Sequence, residues 1–578
     1  MVKNRTPAAF LDKYRDKSFD EVLSFQGLWP TLPELFKINV SRFPDSPCFT
    51  VFEPNRVCLN YREALKTIES VARWLNEKGI HKGDNVAVTG KNSPEWAIAY
   101  LGILFAGATV VPIDYQLKND ETDLLIKTSR AKILFVDEEK HANYSNNKGN
   151  LQEVISLKKD VGTYIYTLDG TEAEIEPPAT IEPAAENDVA AILFTSGTTG
   201  NPKGVMLTHQ NLVSDCFLAQ GNLDVYHSDV FYALLPIHHA YCMLAVFVEA
   251  ISTGAEVVFG KKMITSIMLK ELKDGKVTML LGIPMLFNKL LAGILRGIKA
   301  KGKFVHGILS FLMMISGFIK KVFGVNPGKK LFHSVLEKAS LSTIRVCICG
   351  GGPLAPSVFR KFNQLGIDFV QGYGLTETSP IINLNPIEHY KETSVGRILP
   401  GMEMKILDPD KSGIGEVIIK GPMVMKGYFE MPEETAAVFT PEGFFKTKDL
   451  GYMDSENYLY LTGRASNMIV TEGGKNVYPE EIENEFQLYD EIDQILIRGY
   501  IIDQKMKIEG IEALIYPTPD QKDSSDKPLS PEAIKTRING IILEVNQRLQ
   551  PYQKINRTVI LDQPMEMTTT KKIKRHTI

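Results

Sequence analysis

The apolar run Val189-Ala-Ala-Ile-Leu-Phe194 leads directly into Thr195-Ser-Gly-Thr-Thr-Gly-Asn-Pro-Lys-Gly204, and this junction constrains the chain more than any other segment. An apolar run bounded by turn residues reads as a buried strand. In the loop, Gly197, Gly200 and Gly204 let the backbone turn tightly and present its N–H groups. Thr195, Ser196, Thr198 and Thr199 add hydroxyl donors, and Lys203 adds a cation. That set suits a triphosphate. A Walker loop uses similar residues but needs glycine immediately before its lysine and Ser or Thr after it; here Pro202 and Gly204 flank Lys203.

Around the loop, helical and strand patterns alternate. Helical Tyr61–Lys78 and Ser93–Phe105 interleave with apolar Asn85–Thr89, Thr109–Ile113 and Ala131–Val136. The pattern resumes with Val230–Leu235, Glu256–Phe259, Val277–Leu281 and Ile344–Cys349, each followed by glycine or proline. Such alternation predicts an α/β chain of parallel sheets wrapped by helices. The polar stretch from His141 to about residue 187 reads as a surface excursion. Residues 395–462, including Gly413–Lys420, shift to short strands and turns and predict a small β-rich subdomain. The last ~110 residues form a unit of their own, helical at Pro479–Tyr489 and Pro531–Leu549, with strands near Ile495–Gly499, Ile511–Tyr516 and Thr558–Leu561.

At 578 residues the chain exceeds what one hydrophobic core supports, so at least two domains are expected. Its 44% hydrophobic and 23% charged residues are those of a soluble globular protein, and a net charge of −4 argues against general nucleic-acid binding. Cys48, Cys58, Cys216, Cys242, Cys347 and Cys349 are scattered through apolar contexts, which reads as reduced core thiols in a cytoplasmic protein. Cys347-Ile-Cys349 is spaced too closely for a zinc half-site and alternates like a strand. The polar start Met1-Val-Lys-Asn-Arg lacks the apolar core of a signal peptide, so export is not expected.

The loop at 194–204 resembles the phosphate-binding signature of the adenylate-forming (AMP-binding) enzymes, the superfamily of acyl-CoA synthetases, peptide-synthetase adenylation domains and luciferases. Gln371-Gly-Tyr-Gly-Leu-Thr-Glu-Thr378, Lys446-Thr-Lys-Asp449, Gly463-Arg464, Gly473-Gly-Lys-Asn476 and Lys572-Ile-Lys-Arg575 are similar to its other motifs, in order. The likeness runs from about Leu32 to the C-terminus. It implies a large N-terminal domain (1–463) of layered α/β subdomains plus the β-rich one, a hinge at 464–466, and a smaller mobile α+β C-terminal domain (467–578).

The resemblance implies two half-reactions. A carboxylate attacks the α-phosphate of ATP to give acyl-AMP and pyrophosphate, and a thiol then displaces AMP. Both concentrate negative charge, so cations and oriented donors are required. Thr195, Ser196, Gly197, Thr198, Thr199, Gly200 and Lys203 would hold the β- and γ-phosphates. Thr376 would contact the α-phosphate and Glu377 would ligate Mg2+, for which a carboxylate is a suitable hard ligand; a solvated turn acid is the competing reading. Tyr373, between Gly372 and Gly374, would face adenine, with Gly350, Gly351 and Gly352 opposite; a core tyrosine is the alternative. Asp449 would accept from the ribose hydroxyls and Arg464 add charge nearby. Lys448 stands where the family usually has glycine.

Lys572 is implied as the catalytic cation of the first half-reaction, against the alternative of a solvated basic tail with Lys571, Lys574 and Arg575. For the second, the family rotates its C-terminal domain so that a glycine-rich loop, here Gly473, Gly474 and Lys475, lines the channel for coenzyme A. Ser466 falls at the hinge, where Asp or Lys is commoner. His239 matches a residue that approaches the acyl group; His238 and a simple packing histidine are the alternatives. Nothing nearby resembles a site for an amino-acid ammonium, so an apolar acid is expected.

Residues 296–330 contain eight Lys or Arg and no acid, bracketing the uncharged run Phe304–Ile319. At sixteen residues the run is short for a bilayer span, which takes about 20. Two readings remain: an interfacial helix on anionic lipid, placing the protein peripherally on the inner face of the membrane, and a buried hairpin over the acyl pocket. Similar insertions in long-chain fatty acid–CoA ligases point to that substrate class, with ATP, Mg2+ and coenzyme A. The alternatives are transfer to an acyl carrier protein, a luciferase-type oxygenase, and a nucleotide-binding relative without catalysis.

Overall fold

A computed structural model describes residues 28–168, 183–195, 202–262, 264–471, 475–503, 508–519, 521–522, 527–568 and 572–575. Two large sheets organise the N-terminal part. The first orders its strands Gly427–Tyr428, Lys203–Thr208, Val189–Thr195, Thr109–Ile113, Asn85–Thr89, Ile133–Val136 and Glu153–Ser156. Its five strands from Val189–Thr195 outward pair in parallel, and most of their residues are buried, as sheets covered on both faces require. Lys203–Thr208 runs back antiparallel against Val189–Thr195, so the phosphate-loop segment closes a hairpin in which Thr195 opposes Lys203.

The second sheet has nine strands, in the order Arg397–Ile398, Ile381–Leu384, Asp368–Gly374, Val346–Cys349, Met279–Gly282, Val230–Ala233, Glu256–Phe259, Pro47–Val51 and Val57–Asn60. Its six inner strands are parallel and its edges antiparallel. Helices start where capping chemistry allows. Asn60 and Glu63 form a reciprocal box before Tyr61–Glu77, as Thr31 and Glu34 do before Leu32–Arg42. The helices His209–Ala219 and Glu249–Thr253, and the π-helical turn Met243–Val248, are buried on nearly every side within the largest core cluster.

An antiparallel sheet of Glu403–Leu407, Gly415–Lys420, Phe445–Met453 and Leu459–Arg464 follows. The C-terminal part has a sheet of Ile492–Asp503, Ile508–Pro517 and Arg557–Ile560, and its own core formed with the helices Pro479–Asn484 and Pro531–Arg548. All six cysteines are free; five are buried and Cys58 is half-buried.

Two expectations need correction. The stretch from His141 onward is not wholly a surface excursion: it contributes to the helix Glu138–Asn146 and supplies the strand Glu153–Ser156, whose Val154 and Ile155 are buried against the sheet. The run Phe304–Ile319 belongs to a helix, Lys303–Phe323, whose only buried residues are Met313, Ser316 and Lys320, so the buried-hairpin reading fails for most of its surface.

Candidate functional site

Three neighbouring parallel strands end in step, with Gly282 opposite Cys349 and Cys349 opposite Gln371. The next residues, Ile283, Gly350 and Gly372, therefore lie side by side at the carboxyl ends, where α/β sheets hold their ligands. Gly350 leaves room for Tyr241: a Cβ there would come 3.0 Å from the tyrosine ring. The Tyr241 hydroxyl donates to the carbonyl of Ile348 at 3.0 Å, which ties it to the end of its strand. Gly374 admits no side chain, because a Cβ would collide with the Pro380 carbonyl.

Beyond these strand ends lies a charged cluster. The Tyr373 hydroxyl donates to Asp449 Oδ2 at 2.6 Å, and Arg464 Nε donates to Asp449 Oδ1 at 3.0 Å. Asp449 and Arg464 are cross-strand partners on the antiparallel sheet, which fixes their pairing. Burial raises the Asp449 carboxyl above its ordinary range, opposed by Arg464, Tyr373 and Lys572. Lys448, just before it, has a left-handed backbone (φ +61°), with its N–H on Glu416 Oε1 at 2.9 Å. The position favours glycine, and the lysine is held there by this bond.

Lys572, from the far end of the chain, reaches the same cluster. Its side chain is open to water-sized molecules yet ringed by protein. Desolvation lowers its pKa below that of an ordinary lysine, Arg464 lowers it further, and Asp449 opposes. It also bears on His239, whose pKa is pushed down to about 3 by burial first, then by His238 and Lys572. His239 is therefore a neutral imidazole. Its Nδ1 accepts from the Tyr241 N–H at 3.4 Å, leaving the Nε2 proton as a donor. His238 is turned toward Asp114, with Nε2 3.6 Å from Oδ1, so of the two histidines it is His239 that Lys572 influences.

A second group gathers around Tyr428, which sequence reasoning missed. Its hydroxyl donates to Glu377 Oε1 at 3.0 Å, and Lys203 Nζ lies 5.0 Å from its ring centroid. Strand pairing of Gly427–Tyr428 with Val205 and Met206 places it there, and the Met425 N–H bonds the Glu377 carbonyl at 2.9 Å. Lys203 and Glu377 thus share one neighbourhood. Thr376 opens the short turn Thr376–Thr378 beside them.

Among the described residues no group of three or more His, Cys, Asp or Glu could enclose a metal. A magnesium ion here would be held by the Glu377 carboxylate together with phosphate oxygens, an arrangement magnesium commonly takes.

One further residue ties the C-terminal part to this site, and another holds the terminal segment within that part. Gln487 accepts the Ala355 N–H at 2.8 Å and donates to the Pro353 carbonyl at 2.9 Å, just beyond Gly350–Gly352. Arg575 binds Glu483 and the Ile497 carbonyl, anchoring the segment that carries Lys572. No sequence signal marked Gln487, whose partners are remote in sequence, and Arg575 stood out only as the end of the motif Lys572–Arg575, not as a partner of Glu483. Ser196, Gly197, Thr198, Thr199, Gly200, Gly473 and Gly474 lie outside the described residues. Lys475 is exposed, its carbonyl bonded to the Thr471 N–H at 3.1 Å. Ser466 is exposed in the turn Ala465–Asn467.

Residues 36–429 match the family model for "AMP-binding enzyme". A long-chain-fatty-acid–CoA ligase of Bacillus subtilis is 29% identical over 81% of this chain and 82% of its own length. A feruloyl-CoA synthase of Amycolatopsis is 27% identical over 89% and 92%. The fold is also that of the anthranilate CoA ligase AuaEII, solved in complex with anthranoyl-AMP, with a TM-score of 0.76 at 20% identity over 96% of this chain and 97% of that one.

Proposed function

The chain belongs to the AMP-binding enzyme family, and from that membership we propose that it activates a long-chain fatty acid with ATP and passes the acyl group to coenzyme A. The observation that carries this reading is the meeting of Lys572 with Asp449, Arg464 and His239, residues from remote segments brought within electrostatic reach of one another.

In the first half-reaction a carboxylate oxygen bonds to the α-phosphorus as the bond to pyrophosphate breaks. The Lys572 ammonium and the Arg464 guanidinium face the charge that develops, and their fixed placement removes the reorganisation water would require. Asp449 takes the ribose hydroxyls, and Tyr373 holds that carboxylate in place while its ring offers adenine an apolar face. Lys203 and Tyr428 border the phosphate end, with Glu377 as the hard ligand for magnesium, which would neutralise phosphate charge. In the second half-reaction the thiolate of coenzyme A attacks the acyl carbon and AMP leaves. For this step the C-terminal part turns about residues 464–466 and carries Lys572 away.

An apolar acid is supported by what lies around His239, a neutral imidazole and the Tyr241 ring beside Gly350. Long acyl chains are supported by the Bacillus relative, and an aromatic acid by the Amycolatopsis one. The test is AMP release and thioester formation over saturated acids of graded length and a hydroxycinnamic acid, with free coenzyme A or a holo acyl carrier protein as acceptor. Preference for long saturated acids with free coenzyme A supports the proposal; preference for aromatic or short polar acids, or for the carrier protein, overturns that part. Lys572→Ala should abolish carboxylate-dependent exchange of pyrophosphate into ATP while nucleotide still binds.

A further inference from the structure

The helix Lys303–Phe323 is built inside out. Phe304, Ile308, Phe311, Ile315, Phe318 and Val322 recur at alternating spacings of four and three, so they form one stripe, and they are 37% to 81% exposed. The opposite side faces the protein. Met313 and Ser316 are buried there, and the Lys320 ammonium is bonded to Asn363 Oδ1 and Asp368 Oδ1 at 2.6 Å each. A helix pinned by a buried ion pair on one side is not crossing a bilayer. Its apolar side is a continuous patch of a kind that soluble monomers seldom leave uncovered.

Charge identifies what covers it. Lys299, Lys301 and Lys303 are exposed before the stripe and Lys330 after it, with Lys321 beside Glu392 at 4.0 Å, and there is no Asp or Glu within 296–330 itself. Self-association along the stripe, in either orientation, would bring basic ends together. An acidic surface that is also apolar below its charged layer satisfies both features at once. We propose that this face of the helix lies on an anionic lipid surface, its phenylalanines in the acyl boundary and its flanking lysines on the headgroups. The helix would lie in the plane of the interface, as amphipathic helices of this composition do. It packs on Pro284–Lys299, a helix that begins beside Gly282 and Gly350 at the strand ends, so the docked face and the site are joined by one element. The inference rests on the exposed stripe and its charge, not on the identity of the acid.

The test is cosedimentation of the full-length protein with phosphatidylcholine vesicles, with and without phosphatidylglycerol. Binding is expected to the anionic vesicles and to weaken with salt. Phe304→Ser/Phe311→Ser/Phe318→Ser should weaken it at least about tenfold, while each of Lys299→Gln, Lys301→Gln and Lys303→Gln costs about fivefold. These positions are not among the residues of the site, so pyrophosphate exchange with a water-soluble acid should stay at the wild-type rate and report correct folding. Equal binding to neutral and anionic vesicles, undiminished binding by the triple serine variant, or wild-type protein left in the supernatant would each overturn the proposal. So would a wild-type dimer in light scattering that the serine variant converts to monomer.

Discussion

Arg575 holds both carboxylate oxygens of Glu483 at 2.6 Å, three residues beyond Lys572. The Ile497 N–H donates to the same glutamate at 2.7 Å and the Ile497 carbonyl accepts from Arg575 at 2.9 Å, so strand, helix and terminal segment are closed into one ring. Burial pushes Glu483 up to about 7, with Arg575 pulling the other way. Arg575→Ala leaves that carboxylate without its cation. The C-terminal part should lose about 2 kcal/mol of stability in denaturant titrations. Pyrophosphate exchange should fall at least tenfold with ATP affinity nearly unchanged, because Lys572 is no longer aimed; an unchanged exchange rate would refute the anchoring role.

Gln487 makes the two hydrogen bonds that tie the C-terminal part to Pro353 and Ala355. At about 1 kcal/mol each, their loss in Gln487→Ala shifts the balance of arrangements by roughly thirtyfold. Adenylation should slow several-fold, while thioester formation from supplied acyl-AMP should hold its rate or rise. Parallel loss of both half-reactions would argue against this role.

Tyr428→Phe keeps the ring near Lys203 and removes only the donor to Glu377. Adenylation should drop about tenfold, the worth of one hydrogen bond to a charged group, with the dependence on magnesium concentration shifted upward. A variant with an unshifted magnesium curve would separate Glu377 from the metal.

His209 is buried, and its Nδ1 accepts the Leu32 N–H at 3.2 Å. Burial lowers its pKa to about 4, against a small opposing pull from Asp188. The unfolded chain therefore takes up a proton at a higher pH than the folded one. The histidine's contribution is complete above pH ~6.5 and is lost as pH falls through that window toward 4, about 3 kcal/mol in all. His209→Gln should flatten this segment of the stability curve, measured as urea midpoint against pH; a slope equal to wild type would count against it.

How far the sequence reveals this site depends on the distance between partners. Strands such as Asn85–Thr89 and Glu256–Phe259 announce themselves because an apolar run bounded by turns has one local solution. Asp449 and Arg464 stand out through short motifs, and their pairing follows once both are on adjacent strands. Tyr428 and Gln487 have no local signature, since what they do depends on Glu377 and on Pro353 and Ala355, far along the chain. The hairpin Val189–Thr208 was half visible: its first strand is a clean apolar run, whereas the second begins at the very lysine read as loop. For Lys303–Phe323 the composition declares an apolar stripe but not which side is held. Lys320, counted among the basic flanks, proves to be the inward anchor through Asp368.

The paired bonds of Gln487 to the turn before helix Pro356–Gln364 impose an order of events on the proposed chemistry. On the proposed mechanism, a lysine would occupy the ground an incoming thiol must cross while they stand, and the mixed anhydride would meet its second reagent only when they part. One amide side chain would then work as an escapement, keeping activation and transfer from competing for the same instant.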